Sequence, residues 1–176
     1  MRKDGKRVFV VHEHHARQLH YDFRLEMAGV LKSWAVPKGP SMNPSERRLA
    51  VMVDDHPLAY ADFEGIIPPG HYGAGTVIVW DSGTYQLIET DDPVRAVERG
   101  KLVFDLKGNI LRGRFTLLQI KGKDQKNWLL IKTGDAYSHK RWTLKQVLTQ
   151  EKKARLQQRR PPDKPHRCQE LGLPMK

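Results

Sequence analysis

HARQLHYDFRLE, residues 15–26, alternates polar and apolar side chains without a break from His20 onward. In an extended strand successive side chains point to opposite faces, so His20, Asp22, Arg24 and Glu26 share one face and Tyr21, Phe23 and Leu25 the other. Any half-exposed strand shows this alternation, with apolar residues turned to the core and charges to water. The residue types carry the further information: one face is built for packing, the other is a row of ionisable groups.

Working outward, the same strand character continues over most of the chain. VFVV (8–11), LHYDFRLE (19–26), LKSWAV (31–36), RLAVMVD (48–54), TVIVWDSGTYQLI (76–88), KLVFDL (101–106), GRFTLLQI (113–120) and NWLLIK (127–132) are rich in β-branched and aromatic residues. Gly and Pro punctuate them at Gly29, PKGP (37–40), IIPPGHYGAG (66–75), Gly83, KGN (107–109) and GKD (122–124). This pattern suggests a mainly β fold of about eight short strands, a barrel or a sandwich, either of which leaves few sheet edges unpaired, and of the two we take the compact β-barrel. One short helix interrupts it in DDPVRAVERG (91–100), where Asp92 caps, Pro93 takes the first helical position and Gly100 ends the turn. A second helix is expected to begin near Thr143, with Leu144, Val147 and Leu148 as its apolar stripe, ahead of an irregular PPDKPHRCQELGLPMK.

The chain has 176 residues, enough for one sizeable domain and a tail; we divide it at 1–138, the barrel, and 139–176, a basic, helical or partly disordered tail. A composition of 39% hydrophobic and 29% charged residues, with no apolar run near the ~20 residues of a membrane span, predicts a soluble protein that does not engage membranes. The basic N-terminus lacks the apolar stretch of a secretory signal, and the single Cys168 excludes an intramolecular disulfide, so the expected location is cytoplasmic. The formal charge of +11 is uneven: residues 139–176 hold 11 Lys/Arg against 3 Asp/Glu, which makes the tail the source of any general attraction to a polyanion.

His14, His20 and Asp22 form the sharpest constellation. His20 and Asp22 project from one strand face, and His14 lies six residues earlier, within reach if the chain folds back. Two imidazoles and a carboxylate suit a divalent transition metal such as Mn, Fe, Co or Zn, with positions left for water or substrate. His12 and His14 share a face if the first strand runs through them, with His15 turned away. Arg24 extends the polar face, and Lys38 and Arg48 are cations beside strand ends; fixed cations next to a metal are what a phosphoryl group needs as charge builds on it. In DDHPLAYADFEG (54–65), His56 could donate a proton near neutrality, and Tyr60 lies four residues on. GHYGAG is not a dinucleotide fingerprint, and no phosphate-binding G-x-x-x-x-G-K-[ST] occurs, so nothing points to bound ATP.

Taken together, HARQLHYDFRLE, SWAVPKGPS, RLAVMVDDHPLAYADFEGIIPPGHYGAGTVIVWDSGTY, LRGRF and NWLLIK resemble the 3′-phosphoesterase domain of bacterial and archaeal DNA ligase D, from about Phe9 to Asp135. The resemblance implies a β-barrel enzyme of nonhomologous end joining. It implies manganese dependence, release of a 3′-terminal ribonucleoside from a DNA 3′ end, then hydrolysis of the remaining 3′-phosphate. It implies His14, His20 and Asp22 as metal ligands and Arg24, Lys38, Arg48, His56 and Tyr60 as phosphate-binding and catalytic residues, with a DNA ligase and an end-binding protein supplied in trans. There are two departures from the family pattern. The segment usually read FVVQKH is FVVHEH here, placing His12 where an amide is usual, as an extra hydrogen-bonding group toward substrate or a competing ligand; and only eight residues precede Phe9. The rival readings are a noncatalytic DNA-end-binding module and a two-His-one-carboxylate iron oxygenase, the latter disfavoured by the Arg24, Lys38 and Arg48 cations.

Overall fold

The computed structural model describes residues 6–122 and 124–162; the end of the tail from 163 onward, Cys168 included, lies outside the described residues. Nine strands form one sheet: β1 (Arg7–His15), β2 (Leu19–Met27), β3 (Val30–Val36), β4 (Arg47–Pro57), β5 (Gly65–Ile67), β6 (Gly75–Leu87), β7 (Lys101–Gly108), β8 (Arg112–Gln119) and β9 (Asn127–Lys132). Their order is β1-β2-β3-β4-β9-β8-β7-β6-β5, and β1 also pairs with β6. Eight antiparallel strands therefore close on themselves, and β5 adds a short flank to the start of β6.

The alternation read in β2 sorts its residues as the period-2 rule requires. Tyr21, Phe23, Leu25 and Met27 join Phe9, Val11, Trp34, Phe104, Phe115 and Trp128 in the barrel interior. Ring pairs such as Phe23 with Phe104 at 6.0 Å and Trp34 with Trp128 at 5.8 Å fill it, at edge-to-face or tilted separations that add to the area they bury. His20, Asp22 and Arg24 consequently stand on the outer wall. The β2–β3 hairpin turns through Ala28 and Gly29, both at positive φ (52° and 79°), the twist-matched two-residue turn of antiparallel strands.

A second, smaller apolar cluster lies outside the barrel, where Tyr60, Phe63 and Ile67 of the segment between β4 and β6 cover Val10, Leu31 and Val77. This segment roofs the polar face of β2. The roof begins with a 3₁₀ turn, Leu58–Tyr60, after β4.

The pairing of β3 with β4 is irregular at one point. Leu31 pairs with His56, but Ser33 pairs with Val53, so β4 carries one residue more than its partner between these points. Such a bulge reverses the facing of the residues beyond it. His56 is thereby turned onto the outer wall, although Ala50 and Met52, at the same parity, pack inward.

The helix predicted in 91–100 forms as α1 (Pro93–Arg99), with Asp92 accepting from the Arg95 amide at 3.1 Å and Gly100 left-handed. Three expectations are corrected. β1 runs on through HEHH to His15. Ile66 and Ile67, read as loop, form β5, too short to show periodicity. The second helix does not begin near Thr143: α2 is Gln150–Arg155, capped by Thr149. The apolar stripe of 144–148 is used differently. Trp142, Leu144 and Val147 pack on the barrel core, the Trp80 indole donates to the Lys145 carbonyl at 2.8 Å, and the Glu13 carboxylate accepts the Val147 and Leu148 amides at 2.6 and 3.1 Å. These side-chain bonds replace a helical ladder and plug the mouth where β1 ends and β2 begins. Among the described residues no helix is long and apolar enough to cross a membrane.

Candidate active site

His14, His20 and Asp22 meet on the outer wall because β1 and β2 pair with His14 opposite His20 and His12 opposite Asp22. The tight hairpin performs the folding back that the six-residue separation requires. The His14 and His20 rings are 4.6 Å apart, and both approach the carboxylate: His14 Nδ1 to Asp22 Oδ2 and His20 Nε2 to Asp22 Oδ1 are each 3.4 Å. One ligand atom from each residue lies within 4.8 Å of the other two.

The far nitrogens show what the near ones are for. His14 Nε2 donates to the Gly73 carbonyl at 2.7 Å, and His20 Nδ1 donates to the Gln18 carbonyl at 3.1 Å. In the neutral ring a nitrogen that donates leaves the other as a lone pair. Both lone pairs therefore point at a carboxylate, an arrangement that is repulsive until a cation sits between them. Backbone carbonyls that fix the tautomer of ligating histidines are the usual outer support of a metal site. The donor set fits a divalent metal; without one, a proton takes its role. Burial works against a charged His20, but the hydrogen bond and charge of Asp22 outweigh it and raise its pKa. Burial likewise opposes ionisation of Asp22, yet Arg24 and the two imidazoles hold its carboxyl well below the usual range.

Arg24 organises the next layer. Fully surrounded by protein, it donates through Nη2 to Asp22 Oδ2 at 3.2 Å, through Nε to His12 Nδ1 at 3.0 Å and through Nη1 to Ser33 Oγ at 2.9 Å, with His56 Nδ1 3.1 Å from Nη1. Its guanidinium also lies 4.8 Å from the Tyr60 ring centre. Because His12 Nδ1 accepts from Arg24, its Nε2 carries the proton and donates to the Phe63 carbonyl at 3.1 Å. Burial, then the neighbouring Arg24 charge, pushes the His12 pKa well down. His12 is a neutral ring with both nitrogens engaged, which leaves it no lone pair for a metal.

His56 and Tyr60 complete the group, their rings 4.9 Å apart and Tyr60 also 5.0 Å from His12. Burial raises the Tyr60 hydroxyl to about 12, so it is a hydrogen-bond donor at neutral pH. Lys38 and Arg48 stand elsewhere. Lys38 is exposed beyond the end of β3. Arg48 has the inward parity of Ala50 and meets Glu46 at 2.7 Å.

Sequence reasoning missed Ser33, Phe63 and Gly73. Ser33 had a readable signal, because it is the polar residue of LKSWAV on the face opposite Trp34. Phe63 and Gly73 act through backbone carbonyls, which no residue pattern announces.

The profile of the DNA Ligase D 3′-phosphoesterase domain matches residues 12–119. The chain is 55% identical over 138 residues to the multifunctional non-homologous end joining protein LigD of Pseudomonas aeruginosa, a match covering 76% of this chain and 16% of that protein. It is 53% identical over 120 residues to the multifunctional non-homologous end joining DNA repair protein LigD of Mycobacterium tuberculosis, covering 68% and 15%. With the LigD of Mycolicibacterium smegmatis it shares 48% identity over 127 residues, covering 69% and 16%. The matched stretch is thus about one sixth of the length of these relatives. It contains the three converging residues His14, His20 and Asp22, together with Arg24, His56 and the roof. The chain belongs to the DNA ligase D 3′-phosphoesterase domain family.

Proposed function

We propose that this chain is a manganese-dependent phosphoesterase that heals 3′ ends in DNA repair, removing a terminal ribonucleoside and then the 3′-phosphate to leave a 3′-hydroxyl. The single observation that carries this reading is the direct hydrogen bond from Arg24 to the carboxylate of the His14, His20 and Asp22 set. It joins a phosphate-recognising cation to a metal-binding group without an intervening residue. Other divalent transition metals suit the same donors.

When bound, the metal would act as a Lewis acid toward a phosphoryl oxygen, lowering the barrier by several kcal/mol. His14, His20 and Asp22 would hold it. Arg24, with its remaining hydrogen-bonding directions fixed by His12, Ser33 and Asp22, would neutralise charge developing on the phosphoryl group. His56, held at Nδ1 by the Asp54 carbonyl at 2.9 Å, would exchange a proton with the ester or leaving oxygen through Nε2. Tyr60 would donate a hydrogen bond from its hydroxyl. Lys38, exposed beyond β3, would contact a phosphate farther along the strand; Arg48, turned inward and paired with Glu46, takes no part at the reacting phosphate; and His12 would reach the substrate through Arg24. The names of the relatives supply the context of non-homologous end joining; a DNA ligase and an end-binding protein are the partners we expect.

The test is incubation of the protein with duplexes ending in one 3′-ribonucleotide or in a 3′-phosphate, with and without Mn²⁺. Metal-dependent conversion to a 3′-hydroxyl is the expected result, abolished in His14→Ala, His20→Ala and Asp22→Ala. Full activity in any of the three overturns the ligand assignment. Tight binding to DNA ends with no turnover in any metal would establish the noncatalytic module instead.

A further inference from the structure

The chain after α2 returns to the roof of the site. The Ile66 amide donates to the Gln157 carbonyl at 3.0 Å and the Arg159 amide to the Ile66 carbonyl at 3.0 Å, so that Gln158 pairs in parallel with Ile66 as an added rung beside β5. Arg159 also donates through Nη1 to the Glu64 carbonyl at 3.3 Å. The join is close: a Cβ at Gly65 would lie 3.2 Å from the Gln157 carbonyl oxygen and 3.3 Å from the Arg159 side chain. All of this strap lies beyond residue 119, where the family match ends.

The side chains then form a four-layer stack. The Arg159 guanidinium lies 5.2 Å from the Phe63 ring centre; Phe63 stacks on Tyr60 at 4.9 Å and 8° between planes; and Tyr60 faces the Arg24 guanidinium at 4.8 Å. Two cations thus close the ends of an aromatic pair, each attracted by the electron-rich face it meets. The inner cation is the one bonded to Asp22. The same Phe63 offers its carbonyl to His12, which fixes the Nε of Arg24. The outer face of Phe63 therefore has a tenant from the C-terminal segment, and its inner side holds Arg24 by two routes.

We infer that Gln157–Arg159 form a strap that completes the active-site roof, and that Arg159 is a positioning residue for Arg24, acting through Phe63 and Tyr60. This rests on the phosphoesterase reading for its catalytic consequence but not for its structural one. Arg159 sits on the exterior of the roof, so its role is to hold the aromatic pair rather than to touch the reacting phosphate.

The test uses the full chain as wild type, Arg159→Ala, Arg159→Lys and Arg159→Pro. Hydrogen–deuterium exchange over residues 58–75 reads the strap directly. The expected order is fastest in Arg159→Pro, which also loses the amide to Ile66, intermediate in Arg159→Ala, and near wild type in Arg159→Lys. With the 3′-phosphate duplex, kcat should fall about two- to five-fold in Arg159→Ala, the equivalent of one exposed cation–π contact, with KM and its salt dependence unchanged and with recovery in Arg159→Lys. Unchanged exchange in both Arg159→Ala and Arg159→Pro overturns the strap. Faster exchange with unchanged kcat overturns the positioning role, and so does a rise in KM with a weaker salt dependence, which would make Arg159 a DNA contact. If the wild type shows no turnover, the phosphoesterase reading fails, and the exchange result alone decides the strap.

Discussion

Arg24 Nε and His12 Nδ1 are joined by a buried hydrogen bond of 3.0 Å, and the other ring nitrogen of His12 is spent on the Phe63 carbonyl. His12 therefore acts as a spacer between a cation and the roof. A glutamine could play the same part, its amide oxygen accepting from Arg24 and its amide nitrogen donating to Phe63. His12→Gln should keep wild-type stability and Mn²⁺ affinity. His12→Ala leaves a buried guanidinium N–H and a carbonyl unpaired, costing about 1–3 kcal/mol for each such group. Thermal unfolding of the two variants checks this; equal melting temperatures would refute the spacer role.

The three candidate ligands differ in how deeply they are built in. Asp22 is buried and paired with Arg24, whereas His20 is only partly covered. Asp22→Ala should abolish metal binding and destabilise the fold by about 3–5 kcal/mol, because it strands a buried guanidinium. His20→Ala should abolish metal binding with much less loss of stability. Mn²⁺ titration together with denaturant unfolding measures both effects, and comparable destabilisation by the two variants would contradict the geometry. Mn²⁺ affinity of the wild type should weaken as the pH falls through the raised His20 pKa, since proton and metal compete for one nitrogen.

His12 also sets a pH dependence of stability. Its pKa in the folded chain is lowered by burial and by Arg24, so below about pH 6.5 the unfolded chain binds a proton that the folded chain refuses. Stability is full above that pH and is lost on acidification, with a slope approaching about 1.4 kcal/mol per pH unit for one proton. His20, whose pKa is raised, works in the opposite sense, adding stability below about pH 6.5 that disappears as the pH rises through its folded value. Comparing wild type with His12→Gln cancels His20, which both retain. Between pH 7 and 5 in a chelator the wild type should lose more stability than His12→Gln; parallel curves would rule this out.

On the inner face, Glu13 ties the 139–149 segment to the barrel through the Val147 and Leu148 amides and also meets His15 at 2.6 Å. Glu13→Ala leaves two amides without their acceptor and should cost about 2–6 kcal/mol, taking 1–3 for each. Because its side chain points away from the three ligands, Mn²⁺ affinity should persist in the folded variant. Loss of metal binding at full stability would place Glu13 in the site instead.

The barrel was legible because alternation is a local signal, and the β2 pattern alone separated Tyr21, Phe23 and Leu25 from His20, Asp22 and Arg24. The convergence of His14, His20 and Asp22 was legible for the same reason, once the hairpin is allowed to bring His14 opposite His20. What stayed hidden depends on partners distant in the chain. The facing of His56 rests on one extra residue in β4 that no pattern marks. Leu144 and Val147 carry a helical spacing, yet Glu13, more than 130 residues away, captures the amides a helix would have used. Phe63 is an ordinary aromatic in DDHPLAYADFEG, and its importance comes from a carbonyl and from Arg159.

β1 is hydrogen-bonded along both edges, to β2 and to β6, over nearly its whole length. A strand gripped from two sides cannot slip without turning His12 and His14 to the wrong face, so one half of the site has the stiffness of the sheet itself. The opposite half, the 58–74 segment, is anchored at far fewer points. Accuracy of geometry on the first side is thus set by the sheet, whereas on the second it hangs on two backbone carbonyls, those of Phe63 and Gly73, through which any shift of the roof passes directly to His12 and His14.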